Sequence, residues 1–325
     1  MMKRLQTAFA FAVALGTVSI GLAQTYPSRA VTVVIPSTAG GPGEILARIL
    51  SERMTTSLGQ PLIIEAVSGA GGTIGVGRVA RAAPDGYTLV LGNWNSNVAS
   101  GAIYPLAYDL LKDFEPVALL TSAPLWIAAR KTFPANNLTE LIAWLRANPD
   151  KASAATVGAG TAAHICGVHF QDKTGTRFQF VPYRGGGLAY QDLVAGHIDL
   201  MCAETSATGR HVRGGAIKAF AVLARTRWPG APDVPITDEL GLPGFYISFW
   251  QGLWAPRSTR KDVIAKLNRA VVQALGDPTV NQRLTELGLE IPSSDQQTPE
   301  ALGAYHKAEI EKWWPIIKAA GIKVE

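Results

Sequence analysis

One corner limits what this chain can fold into. The β-branched run Val33-Val34-Ile35 ends at Pro36, and Ser37-Thr38-Ala39-Gly40-Gly41-Pro42-Gly43 follows at once. Beyond it, Ile45, Leu46, Ile49, Leu50 and Met54 recur at helical spacing. The pattern predicts a short buried strand, a glycine-rich turn and a helix. Glycine lets a backbone approach a ligand closely and reach positive φ. The first turn of a helix carries unpaired N–H groups with partial positive charge. Such a corner suits a carboxylate or phosphate, although a tight turn with no ligand has the same sequence pattern.

The rhythm then repeats. Pro61 to Val67 reads as a strand, Thr73 to Ala83 as a helix and Thr88 to Leu91 as a third strand, with Asp85-Gly86 a tight turn between. This is the β-α-β-α-β order of a parallel doubly wound sheet, which binds ligands beyond the carboxyl ends of its strands. The loops Ser37–Gly43, Ser68–Gly72 and Gly92–Asn97 therefore become candidate ligand loops. Gly69-Ala70-Gly71-Gly72-Thr73-Ile74 fails as a dinucleotide fingerprint, because Ile stands where the third glycine belongs, and no cofactor is expected. Trp94 reads either as a wall against a flat or aromatic acid or as a half-buried surface residue. Asn93, Asn95 and Ser96 are nearby hydrogen-bonding candidates.

Val117 to Ala129 is a long apolar run that reads as a strand leaving one domain for another. A second α/β unit follows. It comprises a helix capped by Asn137 or Thr139 and running to Ala147, a strand at Ala154–Val157 and the small-residue turn Gly158–His164. A helix from Ala163 to Lys173, a strand at Phe178–Tyr183, a helix at Leu188–Ala195 and strands at His197–Met201 and Ala216–Leu223 complete it. Tyr246 to Trp254 mirrors the first crossing, with Trp250 and Gln251 as weaker ligand candidates. Ser258 reads as the cap of a helix over Arg260–Leu275, Leu284 and Leu287 as part of a short helix, and Thr298-Pro299-Glu300 as the start of the last helix. Trp313 and Trp314 on that helix read as core. The predicted fold is two doubly wound sheets joined by two crossing strands, with a ligand in the cleft. The lobes are residues 24–123 with 250–325, and residues 124–249.

Residues 1–23 read as a secretory signal. Lys3 and Arg4 precede an apolar stretch from Ala8 to Leu22, and the small residues Gly21 and Ala23 place cleavage after Ala23. The expected product is periplasmic. Cys166 and Cys202 suit either two buried thiols, the default, or a disulfide in an oxidising compartment. Charged residues are 17% of the chain and the net charge is +5, with no dense Lys/Arg run interleaved with aromatics, so nucleic acid is not an expected partner. The alternative of a secreted α/β hydrolase or transferase lacks a Gly-x-Ser-x-Gly elbow. The five histidines show no His-x-x-x-His pair for a metal. The expectation is no enzyme and no metal.

Pro36 to Arg48, Gly69-Ala70-Gly71-Gly72 with Ile74-Gly75, Ala83 to Leu89 and Leu111 to Val117 form one ordered set of motifs. Gly158 with Gly160, Thr161 and His164, Val181-Pro182-Tyr183 with Gly185, Asp199-Leu200-Met201 and Leu242 to Phe245 extend it. With this set the mature chain resembles the substrate-binding receptors of tripartite tricarboxylate transporters, the Bordetella uptake gene (Bug) family. The resemblance implies a type 2-like, two-lobed periplasmic binding protein fold and no catalysis. It also implies an organic acid as ligand and the transporter's membrane subunits as partners; a monomer is expected. It points to Thr38, Ala39, Gly40 and Gly41, and to Gly160, Thr161, Ala162 and Ala163, as the groups that hold one carboxylate. The family commonly has Thr or Ser then Asp where Gly43 and Glu44 stand, and Pro-Ser at Ala162-Ala163. It has an aromatic then Asp at Cys202 and Ala203, with Glu204 next. These departures bear on the far end of the ligand. Glu44 either favours the positive start of its helix or binds the ligand, Thr161 is a cap or a ligand donor, and His164 is structural or a ligand contact.

Overall fold

The computed structural model describes residues 25–322, so the predicted leader and its cleavage site lie outside the described residues. The chain order begins β1 (Val31–Ile35), α1 (Pro42–Leu58), β2 (Leu62–Ala66), α2 (Thr73–Ala80) and β3 (Thr88–Asn93). A wide turn over Asn95–Ala99 then runs into α3 (Ser100–Ile103). β4 (Phe114–Arg130), α4 (Leu138–Ala147), β5 (Ser153–Thr156), α5 (Ala162–Thr174), β6 (Gln179–Pro182) and α6 (Gly186–Ala195) follow. The chain ends with β7 (Leu200–Glu204), α7 (Thr205–Arg213), β8 (Ile217–Val222), β9 (Ser248–Pro256), α8 (Lys261–Leu275), α9 (Pro278–Glu286) and α10 (Pro299–Ala319).

β4 organises these elements. Its first part, Phe114 to Pro124, pairs antiparallel with β9, which pairs in turn with β3. Its second part, from Leu125, pairs antiparallel with β7, and from Trp126 with β8. β1 lies parallel between β2 and β3, and β5 lies parallel between β6 and β7. One strand thus runs through both sheets, which explains its length and its nearly continuous burial. The result is the two-lobed α/β binding-protein fold.

α1 and α8 cover one face of the first sheet, with Leu46, Leu50, Leu267 and Val271 buried against Val33, Leu91 and Leu253. A second apolar cluster is continuous between the lobes. It joins Trp94, Trp250 and Trp313 to Cys166, Phe170 and Phe245. Within it the His169 ring of α5 lies 5.8 Å from the Trp313 ring of α10 and 5.1 Å from Phe245.

Several boundaries differ from the sequence reading. The strand expected at His197–Met201 is β7, three residues later, because Asp192 accepts the backbone N–H groups of His197 and Ile198 and holds them in the turn. α7 was not predicted; it is a polar helix with few apolar side chains. Ser258 does not cap α8: its φ is +66°, its N–H donates to Glu115, and Arg260 occupies the cap position. Leu287 lies just past α9 and is exposed. Asn137 caps α4 by accepting the Glu140 N–H, and Thr298 caps α10 by accepting that of Ala301. Trp313 is fully buried, whereas Trp314 is half-buried and donates to the Val98 carbonyl. Cys166 and Cys202 form a disulfide, which displaces the default of two free thiols.

Candidate functional site

At the first corner, Thr38, Ala39 and Gly40 are exposed and Gly41 is half-buried. Gly40 takes φ +76°, which lets its N–H turn back to Glu44 Oε2 at 2.8 Å. The other carboxylate oxygen of Glu44 accepts from Arg48 Nε at 2.8 Å. These contacts hold the Glu44 carboxyl below its ordinary value, the Gly40 N–H first and Arg48 second. Glu44 thus engages its own loop and lies at the positive start of α1. Gly43 has a steric reason to be glycine. A Cβ there would lie 3.0 Å from Ile35 Cγ2 and 3.4 Å from Gln251 Oε1. α1 thus starts almost in contact with the floor of the cleft.

That floor is a polar row across three strands. Asn93 on β3 stands opposite Gln251 on β9, which stands opposite Thr121 on β4. The Asn93 side chain is occupied locally, accepting the Ser96 N–H at 3.1 Å. Trp94 does not line the cleft. It is fully buried, its indole N–H donates to Glu309 Oε2 at 2.9 Å, and its ring meets Trp313 edge to face. The wall expected at Trp94 is therefore corrected to core packing, because a carboxylate from α10 draws the indole inward. Trp250 donates to the same Glu309 oxygen at 3.2 Å.

At the second corner, Gly160 has φ +76°, and its N–H donates to His164 Nδ1 at 3.1 Å. Burial lowers the His164 pKa, which favours the neutral ring that can accept this bond. His164 Nδ1 is thereby engaged by its own loop. The Thr161 hydroxyl donates to the Gly158 carbonyl at 2.8 Å and does not cap α5. The Ala162 N–H donates across the lobes to Asn95 Oδ1 at 3.0 Å. A Cβ on Gly160 would fall 2.2 Å from Ile103 Cδ1, so the corner is covered closely by the segment that carries Asn95. Ala163 is buried beside it.

A third corner lies at Glu204, which the sequence reading named as a ligand candidate without foreseeing the helix that follows it. β7 runs into α7 at Glu204-Thr205-Ser206, and this turn faces the start of α1 across a cavity of about 170 Å³. A bound water needs roughly 10–15 Å³ by the same measure, so the space suits a small organic acid. Pro42 and Ile45 of α1, Glu204, Ser206 and Ala207, Phe249 and Gln251 of β9, and Leu287 and Leu289 line it. Burial pushes the Glu204 carboxyl up to about 7. Ala203 is fully buried in the apolar cluster behind β7, which corrects its assignment as a ligand contact. Alternation along the strand turns it away from the cavity. The structure thus brings the α1 start to Glu204 and Gln251, and the α5 start to Asn95. The signal that marks the third corner in the sequence is a hydroxyl pair directly after a β-branch-poor strand, which apolar periodicity does not detect. Among the described residues, no group of three or more His, Cys, Asp or Glu side chains is arranged to hold a metal ion.

Two sheets threaded by a common strand, with helix starts from both lobes facing a cleft, define a two-lobed solute-binding protein. Residues 46–322 match the tripartite tricarboxylate transporter family receptor. The chain belongs to this receptor family. It is 32% identical to the protein BugT of Bordetella pertussis over 305 residues, covering 93% of each chain. Among solved structures it is similar to MatC from Rhodopseudomonas palustris with bound malate. That match has a TM-score of 0.80 and 41% identity over 90% of this chain and all of that one. The Rpa4515 protein of R. palustris with adipate gives a TM-score of 0.81 at 30% identity, over 92% of this chain and all of that one. The family is one of receptors, not of the hydrolases or transferases weighed as an alternative.

Proposed function

We propose that this receptor captures a small aliphatic organic acid in the cleft and carries it through the periplasm to the membrane subunits of its transporter. The supporting observation is the cavity between the start of α1 and the Glu204–Ala207 turn, which opens onto partial positive charge from two helix starts. Malate and adipate in the two relatives' structures support a carboxylate as the ligand class. The walls at Ile45, Phe249, Leu287 and Leu289 favour an aliphatic body. With Trp94 in the core, the wall expected there gives no support to an aromatic acid.

β4 changes partner between Pro124 and Leu125, which supports hinge points near residues 123–124 and 249–250 and the two-lobe division at those positions. The protein acts as a monomer, without cofactor or catalysis, after cleavage behind Ala23. Thermal shift and calorimetry with malate, adipate, amino acids and benzoate test this reading, since a bound ligand raises apparent stability by mass action. A rise with at least one aliphatic acid is expected. No rise with any acid, together with turnover of an ester or amide, overturns the reading. Light scattering and the intact mass of the exported protein check the monomer and the cleavage site.

A further inference from the structure

Gln251, on the cleft floor, is a buried amide whose oxygen has no partner among the described residues. It lies on β9, is 2% exposed and lines the cavity between α1 and α7. Its Oε1 has no hydrogen-bond partner and sits against Gly43, in the first turn of α1. Its Nε2 reaches only Thr121 Oγ1, at the long distance of 3.5 Å. Buried amides are nearly always paired, so an unpaired amide aimed into a cavity beside a helix start calls for an outside partner. A 17-residue helix begins there; Pro42 has no N–H and the Glu44 N–H donates to the Gly41 carbonyl, which leaves the Gly43 N–H as the donor of the first turn beside the amide.

The amide has two orientations about its last bond. As it stands, an acceptor faces Gly43 and the cavity. Turned over, the NH2 group faces the cavity as a donor, and the oxygen faces the Thr121 hydroxyl, which has a proton to give. The second orientation matches a carboxylate held at the positive start of α1: the Gly43 N–H and the amide N–H would reach the same anion. Glu204 stands on the opposite wall; when ionised it offers only acceptors, so in that form it does not hold the carboxylate end.

Resting on the receptor reading above, we infer that Gln251 is a ligand-contacting, specificity-determining residue, whose amide donates to the substrate carboxylate at the start of α1. Gly43 is its steric counterpart, since any side chain there would fill the gap between the amide and the helix.

The test compares wild type with Gln251→Met, Gln251→Glu and Gly43→Ala in the full mature chain. Malate and adipate are titrated by calorimetry, and unfolding is measured without acid. Gln251→Met is expected to lose about tenfold in affinity while still folding. Gln251→Glu should lose about a hundredfold at pH 8 and recover as the pH falls, because a protonated carboxyl regains a donor. An amide that merely packs predicts variants that bind within twofold of wild type at every pH, and that result overturns the inference. If the variants fail to fold, a crystal structure of wild type with malate decides. An amide nitrogen more than 4 Å from every ligand carboxylate oxygen refutes the contact, and one within hydrogen-bonding distance supports it. A wild-type chain that binds neither malate nor adipate nor any other acid in the screen removes the receptor reading itself. That outcome is distinct from acid binding that is indifferent to Gln251.

Discussion

Asn95→Ala is the most informative single change. In the structure Asn95 Oδ1 occupies the Ala162 N–H at 3.0 Å, and that N–H is one of those expected to hold the ligand carboxylate. Asn95 therefore stands where a carboxylate oxygen would stand, joining the lobes through a bond the ligand must replace. Such a bond is worth about 1 kcal/mol net, which corresponds to about fivefold in an equilibrium constant. Without acid, Asn95→Ala should lower Tm by about 2 °C for a chain of this length. In calorimetry with the acid that the screen identifies, affinity should rise by about fivefold, because the ligand no longer competes with a side chain. Asn95→Asp keeps the acceptor and adds a negative charge at the α5 start, favourable by about 0.3–1 kcal/mol. It should raise Tm and weaken acid binding. A fivefold fall in affinity for Asn95→Ala, with Tm unchanged, would refute the reasoning and make Asn95 a ligand donor instead.

Three further outcomes follow from other parts of the molecule. Glu204 titrates near 7 when folded against about 4.5 in the unfolded chain, so the folded state holds a proton that the unfolded state releases between these values. Its contribution to stability is therefore lost as the pH rises from about 4.5 to 7; Glu204→Gln should raise Tm at pH 8 and change little at pH 4.5. Replacing Cys166 and Cys202 by Ala opens a link that spans 36 residues and should cost about 4 kcal/mol in urea unfolding. Glu309→Ala leaves the buried indole N–H groups of Trp94 and Trp250 without their acceptor and should cost about 2–5 kcal/mol, read in the same assay.

The architecture was legible wherever an element follows its own local chemistry. The length of β4 appears as a long, mostly apolar run interrupted by Pro124, and the corners at Gly40 and Gly160 appear as glycines that a positive φ demands. What stayed hidden depends on partners distant in the chain. Trp94 read as a ligand wall or a half-buried surface residue because nothing near it shows that Glu309, on the last helix, takes its N–H. α7 escaped because its residues are polar and its only buried positions are Thr205, Thr208 and Gly209. The disulfide was undecidable, since pairing depends on a geometry that spacing does not contain. Gln251 was ranked low because a lone polar residue in a buried strand carries no sign of whether anything satisfies it.

The link between Cys166 and Cys202 has a consequence for how such a receptor changes its cargo. It ties the early turns of α5, just behind Ala162, to the strand position two residues ahead of Glu204. The two jaws that this lobe offers are thereby set at a fixed gauge, like a calliper with its screw tightened. A longer or shorter acid would have to be accommodated by the opposite lobe or by trimming side chains, and a molecule made under reducing conditions would lose that gauge before it lost its fold.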